Sequence, residues 1–326
     1  MPGIVLHLKE RDLAADLQGW HMRLYNLIRQ IAQRNDVLVH LRRRDPDIHV
    51  GTRSIDDNRF ADGCLHILDD RSVRAGNVLN AGVAYFWEFW HLDPAGVKAF
   101  SSAGETAYIP SPAADDTTRC IATRLRARYV AQRKSRYDQH APATCLPEGV
   151  VAVFFQGQYP RASGATPFTD FDMLIAALRN ANGRPVVVKP HPLSSSRIDN
   201  LRLQALQLAL GRKRLIVTQA HVHDILDAAV VTVSMNSTVA LEGFLKSVPA
   251  ILLGKTDFHH LAGKVEDMRD FGSILRQELD RSADYDRYLN WYFETHCLDL
   301  EAPNLESQIW ARFAAAGFPQ ERLKSG

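Results

Sequence analysis

Two α/β domains on mostly parallel sheets, followed by C-terminal helices, are what this sequence predicts, on three observations. Short apolar runs alternate with stretches of helical periodicity, the pattern of β-α-β units. A stretch with two prolines and little periodicity, SRYDQHAPATCLPEG over residues 135–149, separates two such series. After Gly254 the strand signal gives way to helical, aromatic sequence. The expected division is therefore 1–149, 150–270, and helices over 271–326 that pack back on both domains. With 326 residues the chain is long enough for two cores of ordinary size.

The first series opens with IVLHL, an apolar strand ending at Leu8. Residues 12–34 follow with near-helical spacing of Leu13, Leu17, Met22, Leu24, Leu27, Ile28 and Ile31. DVLVHL (36–41) is a second strand, 42–62 a polar loop, and 65–68 a third strand. VAYFW (83–87) is a fourth, opening into EFWHLDPAGVKAFSSAGE, and residues 119–136 form a basic helix. The second series starts with VVAVFF (150–155), whose end carries Gln156-Gly157-Gln158. It continues as helix 168–182 closed by Gly183, strand 185–189, helix 196–210 closed by Gly211, and strand 215–218. Helix 222–228, strand 230–234, helix 238–246 and strand 250–254 complete it. Helices over 285–299 and 307–316 trail behind, with Trp291 to Phe293 at core spacing. Two sheet domains of similar size with a linker suggest a twin-Rossmann arrangement, whose central cleft would be the working site.

An apolar share of 46% with 23% charged residues is that of a globular protein. A net charge of +2 gives no electrostatic case for a nucleic-acid partner. Arginines do cluster at Arg42 to Arg44 and along 119–136, either as solvated helix faces or as a dock for an anionic glycan or lipid headgroup. No signal peptide and no membrane-span-length apolar run is visible, and the four cysteines are widely spaced without a CxxC. A cytoplasmic protein is expected, with peripheral contact at the inner face of a membrane left open.

In open α/β sheets, ligands bind beyond the carboxyl ends of the strands. Two polar turns of the second series fall there: Lys189-Pro190-His191-Pro192 and Asn236-Ser237-Thr238. The prolines fix the direction of the imidazole, and Lys189 adds a point charge. Ser237 or Asn236 caps the following helix, and the same N–H groups favour a phosphate in front of it. Glu242, one turn beyond Thr238, is either a ribose acceptor or a solvent-facing glutamate.

These residues carry a resemblance. VVVKPHP followed by DILDAAVVTVSMNSTVALEGFLKSVPAILLG resembles the C-terminal half of the bacterial capsule-polysaccharide biosynthesis family, over about 156–261. That family includes β-Kdo transferases, metal-independent enzymes of GT-B fold that use CMP-Kdo. A more remote similarity is to bacterial sialyltransferases, with a His-Pro motif and a Ser/Thr pair for CMP. The resemblance implies that His191 contacts the CMP part and that Ser237 and Thr238 hold its phosphate. Gln156, by position and resemblance, would face the sugar.

The first half departs from the sialyltransferase pattern, because ADG at 61–63 lacks the leading acid. Glu88, His91 and Asp93, packed among aromatics, are the expected substitute, with Asp93 ahead of Glu88. One carboxylate would serve as base toward an acceptor hydroxyl, or as nucleophile if configuration is retained. The alternative is a turn at Asp93-Pro94 among core aromatics. Gly254-Lys255-Thr256 lacks the first glycine of a P-loop, and His221, His223, His259 and His260 lack a completed ligand set, so no metal is expected. The expected function is metal-independent transfer of an acidic sugar from a CMP donor to a surface polysaccharide or glycolipid. The alternatives are a sugar-nucleotide 2-epimerase of the same fold and a non-catalytic capsule assembly or export factor.

Overall fold

Ile4–Leu8 (β1) is buried along its whole length, as a strand covered on both faces must be. In this computed structural model, residues 2–110, 120–135, 142–191, 194 and 196–324 are described. The chain forms two units, Met1–Thr106 with Tyr292–Gly326, and Ala107–Trp291. The division thus falls after Thr106 rather than at the expected 149/150 boundary.

In the first unit β1 leads into α1 (Glu10–Ala14) and α2 (Arg23–Arg34), then β2 (Val39–Arg43), β3 (Leu65–Asp69), β4 (Val78–Val83) and β5 (Phe89–Asp93). The sheet order is β2-β1-β3-β4-β5, with Leu298–Asp299 added beyond β5. β1 pairs parallel with β2 and β3, and β3 with β4, whereas β4–β5 and the added strand are antiparallel. The helix expected over 12–34 is broken, because Asp16, Leu17 and Gly19 take φ of 45°, 60° and 105° and interrupt any helical ladder.

The strand expected over 83–87 is also corrected. Ala84 donates to the Phe89 carbonyl at 2.8 Å and Tyr85 has φ 67°, so these residues form the turn between β4 and β5. Tyr85 and Phe86 are nonetheless buried. An apolar run reads the same whether its side chains are buried from a strand or from a turn.

The second unit holds α3 (Cys120–Leu125), β6 (Val150–Phe154), α4 (Tyr159–Ala162), α5 (Asp170–Asn180), β7 (Val186–Lys189), α6 (Arg197–Leu210) and β8 (Leu215–Val217). It continues with α7 (Val222–Ala228), β9 (Ala229–Ser234), α8 (Val239–Phe244), β10 (Ala250–Leu252), β11 (Gly263–Lys264) and α9 (Phe271–Leu279). All its strand pairs are parallel, in the order β8-β7-β6-β9-β10-β11. Counted from β6, this is the doubly wound order 3-2-1-4-5-6, which reverses between β6 and β9. Capping boxes start α5 (Thr169 with Asp172) and α6 (Ser196 with Asp199), each satisfying free N–H groups at little cost.

α10 (Tyr285–His296) spans the division between units. α9 places Phe271 and Leu275 in the second core. α11 (Leu305–Ala315) and α12 (Gln320–Leu323) place Leu305, Ile309, Phe313 and Leu323 in the first. Among the described residues, no helix is long and apolar enough to cross a membrane.

Candidate functional site

The three central strands of the second sheet end at Phe154, Lys189 and Ser234. Two residues past each end stand Gln156, His191 and Asn236, a row along neighbouring tips. Gln156 and Asn236 clasp one another across the point where the strand order reverses. The Gln156 amide Nε2 donates to Asn236 Oδ1 at 2.9 Å, and the Asn236 backbone N–H donates to Gln156 Oε1 at 2.9 Å. Asn236 Nδ2 also donates to the Lys255 carbonyl at 3.1 Å. This places Asn236 and Gln156 together, as a polar pair at the position where such sheets take their ligands.

Ser237 Oγ accepts from the Val239 N–H at 3.3 Å, and the Ser237 N–H donates to Ser234 Oγ at 3.3 Å. The hydroxyl therefore fixes the turn into α8, and Thr238 follows as its capping residue. α8 covers only Val239–Phe244, so its dipole is small and polar side chains must do more of any anion binding. His191 is half-buried, and burial lowers its pKa below the ordinary histidine value. At neutral pH it is an uncharged donor or acceptor rather than a cation. Pro192 lies outside the described residues.

Lys189 and Glu242 do other work than the sequence suggested. Lys189 is 9% exposed, and its Nζ donates to the carbonyls of Ala220 at 2.6 Å and Gln219 at 3.3 Å. It ties β7 to the loop before α7, and burial lowers its pKa. Glu242 is 1% exposed and accepts from the Ser135 hydroxyl at 3.0 Å, so it faces the protein interior rather than solvent.

Glu88, His91 and Asp93 lie inside the first unit. All three are at most 2% exposed. Asp93 Oδ1 accepts from the N–H groups of Ala95 (2.7 Å), Gly96 (3.0 Å) and Ser102 (3.1 Å). Its Oδ2 accepts from the Ser102 N–H at 3.1 Å and hydroxyl at 2.5 Å. That carboxylate is a structural anchor for residues 94–102. His91 is fully buried beside Tyr85, and burial lowers its pKa to about 3. Because β5 runs antiparallel, its last residue lies opposite Asn80, inside β4 and not at the carboxyl edge of the sheet.

Two features escaped the sequence reading. Asp170, first in α5, accepts from the Gly157 N–H at 2.8 Å and the Gln156 N–H at 3.1 Å. It holds the loop that presents Gln156, and burial raises its pKa to about 6. In the first unit, Asp69 at the end of β3 receives the Tyr25 hydroxyl at 3.0 Å and Arg44 at 3.2 Å, with Lys9 at 3.8 Å. That cluster stands where β1 and β3 diverge, the corresponding point of the first sheet. Neither showed in sequence, because each carboxylate follows an ordinary element boundary and its partners lie far along the chain.

Arginines of both clusters are paired with carboxylates. Arg42 meets Asp62, Arg43 meets Glu10, and Arg44 meets Asp69. Arg126 pairs with Asp286, and Arg133 with Asp224. His221 caps α7 by accepting from the His223 N–H at 3.2 Å. Among the described residues no group of three His, Cys, Asp or Glu side chains could hold a metal ion. A cavity of about 620 Å³ opens away from the strand tips, at the amino ends of β3 and β4, lined by Phe60, Asn77, Phe318 and Arg322 among others.

Residues 152–269 match the family model described as capsule polysaccharide biosynthesis protein. Among solved structures the chain is similar to Thermosulfurimonas dismutans KpsC, beta Kdo 2,7 transferase, at 12% identity and TM-score 0.55, over 97% of this chain and 100% of that one. It is similar to Thermosulfurimonas dismutans KpsC, beta Kdo 2,4 transferase, at 12% identity and TM-score 0.49, over 88% and 89%. A weaker likeness, 11% identity and TM-score 0.31 over 61% and 51%, is to the Methanocaldococcus jannaschii UDP-GlcNAc 2-epimerase. No curated protein matches the chain in sequence. The first structural likeness is one of fold, the GT-B fold that the resemblance implied.

Proposed function

We propose that the chain is a glycosyltransferase of capsule polysaccharide biosynthesis. It would move an acidic sugar of the Kdo type from a CMP-linked donor to a surface polysaccharide or glycolipid. The observation that carries this reading is the Gln156–Asn236 clasp at the reversal point of the second sheet, within the family-matching segment. Polar groups fixed there in advance lose little entropy on binding a nucleotide.

In this reading His191, neutral by burial, donates a ring N–H to the nucleotide. Ser237, Thr238 and neighbouring N–H groups offset charge on the leaving phosphate without a metal ion. Gln156 and Asn236 orient the donor. The likeness to the KpsC structures supports the fold, and the family segment supports the pathway class.

A thermal-shift panel of CMP, UDP and GDP tests the assignment. Selective stabilisation by CMP is expected. Selective stabilisation by UDP, with conversion of UDP-N-acetylglucosamine in the absence of any acceptor, would replace the transferase with an epimerase.

A further inference from the structure

Asp93 spends its acceptor capacity on its own loop, and the first unit offers another set of groups beyond the end of β1. We propose that Asp12, Trp20, His21 and Trp87 form an acceptor-sugar site, with His21 Nδ1 receiving the hydroxyl proton. The proposal rests on the glycosyltransferase reading for its donor.

The geometry begins with the backbone. Asp16, Leu17 and Gly19, at φ of 45°, 60° and 105°, fold the link between α1 and α2 back on itself. His21 Nε2 thereby comes 3.0 Å from Asp12 Oδ1. Asp12 is 4% exposed, while the His21 side chain is 34% exposed. Arg11 Nε lies 3.5 Å from the same Oδ1, and Asp12 Oδ2 is buried with no hydrogen-bond partner among the described residues. In the proposed site the Asp12 oxygen accepts from the Nε2–H tautomer of the ring, which presents its lone pair at Nδ1. A side chain on Gly19 would begin 3.1 Å from that Nδ1. Glycine therefore keeps this side of the ring open, as well as permitting the positive φ.

An aromatic surface adjoins the imidazole. Trp20 is 55% exposed, its ring centroid 5.3 Å from that of His21 and 4.0 Å from that of Trp87, crossing the latter at 73°. An indole this exposed loses hydrophobic stabilisation unless something covers it. The C–H face of a sugar ring is a fitting cover, since weakly positive hydrogens meet the negative π face. A sugar seated on Trp20 would bring its hydroxyls alongside an imidazole already oriented by a buried carboxylate. Asp12 follows β1 and Trp87 follows β4, two parallel-running strands of the first sheet, so the set lies past their carboxyl ends.

The acceptor oxygen uses a lone pair to bond the anomeric carbon of the nucleotide sugar. The bond from that carbon to the donor phosphate breaks, and its electron pair leaves with the phosphate. The hydroxyl proton passes to His21 Nδ1, Nε2–H stays on Asp12, and the carboxylate faces the imidazolium that forms.

The test uses the full chain and the methyl glycosides of Kdo and N-acetylglucosamine. Tryptophan fluorescence titration should saturate with at least one probe. Trp20→Ala should weaken that binding about 10-fold, Trp20→Phe should restore most of it, and His21→Gln should leave it within about twofold. With CMP-Kdo as donor, His21→Gln should lower kcat about 100-fold with little change in acceptor KM, whereas Trp20→Ala should chiefly raise KM. Sugar binding without any CMP binding would remove the transferase reading while supporting the site. Absence of saturation by either probe, Trp20→Ala binding like wild type, or His21→Gln turning over at the wild-type kcat would overturn it.

Discussion

Asp93 uses its acceptor capacity on its own chain. Three backbone N–H groups and one hydroxyl converge on it, so Asp93→Ala removes an anchor and strands buried donors. The expected cost is about 3 kcal/mol of stability, since charge-assisted bonds in a buried site are lost together. Urea unfolding checks this, and an unchanged midpoint with abolished transfer would contradict it. In sequence the residue was a titratable group among aromatics. The returning loop of residues 94–102 that saturates it had no local signal, because its glycine and serines suit any turn.

Asp170 makes a prediction with the opposite sign from most carboxylates. Burial raises its pKa to about 6, above that of the unfolded chain, so the fold favours the neutral acid. Its contribution is fully present below about pH 4 and is lost as pH rises through about 6. Asp170→Asn should flatten that part of the stability profile, an effect of at most about 3 kcal/mol. Unfolding midpoints between pH 4 and 7 decide it, and a slope identical to wild type would contradict the assignment.

At the scale of elements, the reversal between β6 and β9 positions the candidate nucleotide site. Gln156 and Asn236 act as one unit, so the double substitution to Ala should show a coupling of about 1 kcal/mol in CMP affinity. Additive single effects would mean the clasp is incidental. The second sheet was largely legible, because parallel strands buried on both faces give continuous runs such as VVAVF and VVVK. What stayed hidden were side-chain directions. Lys189 opens the KPHP motif, yet it points its ammonium at the Gln219 and Ala220 carbonyls. In the first sheet, the antiparallel β5 moved Asp93 away from the edge that a parallel strand would have given it.

For the molecule as a whole, acid stability follows from buried imidazoles in both units. Burial, helped by His66, lowers the pKa of His7 to about 4. Burial lowers His91 to about 3, and burial with His223 lowers His221 to about 4. Folded values below the unfolded one favour the neutral ring. The stabilisation is complete above about pH 6.5 and is lost as pH falls through about 4. Asp69, Asp170 and Glu278, all raised by burial, oppose this trend. The lowered imidazoles, His66, His191, His223 and His259 among them, outnumber them, so the urea midpoint should drop between pH 6.5 and 4.5. A flat midpoint there would contradict the burial of these rings. Composition and patterning indicated two α/β series, whereas the placing of the unit division after Thr106 depends on tertiary contacts that no linker composition reports.

The most direct measurement is calorimetric titration of CMP into the wild-type chain and the Asn236→Ala variant. Saturable binding to the wild type, weakened about 10-fold in the variant with an unchanged unfolding midpoint, is the predicted result. Equal CMP affinity in both proteins, or none in either, would contradict a nucleotide site at the tips of β6 and β9.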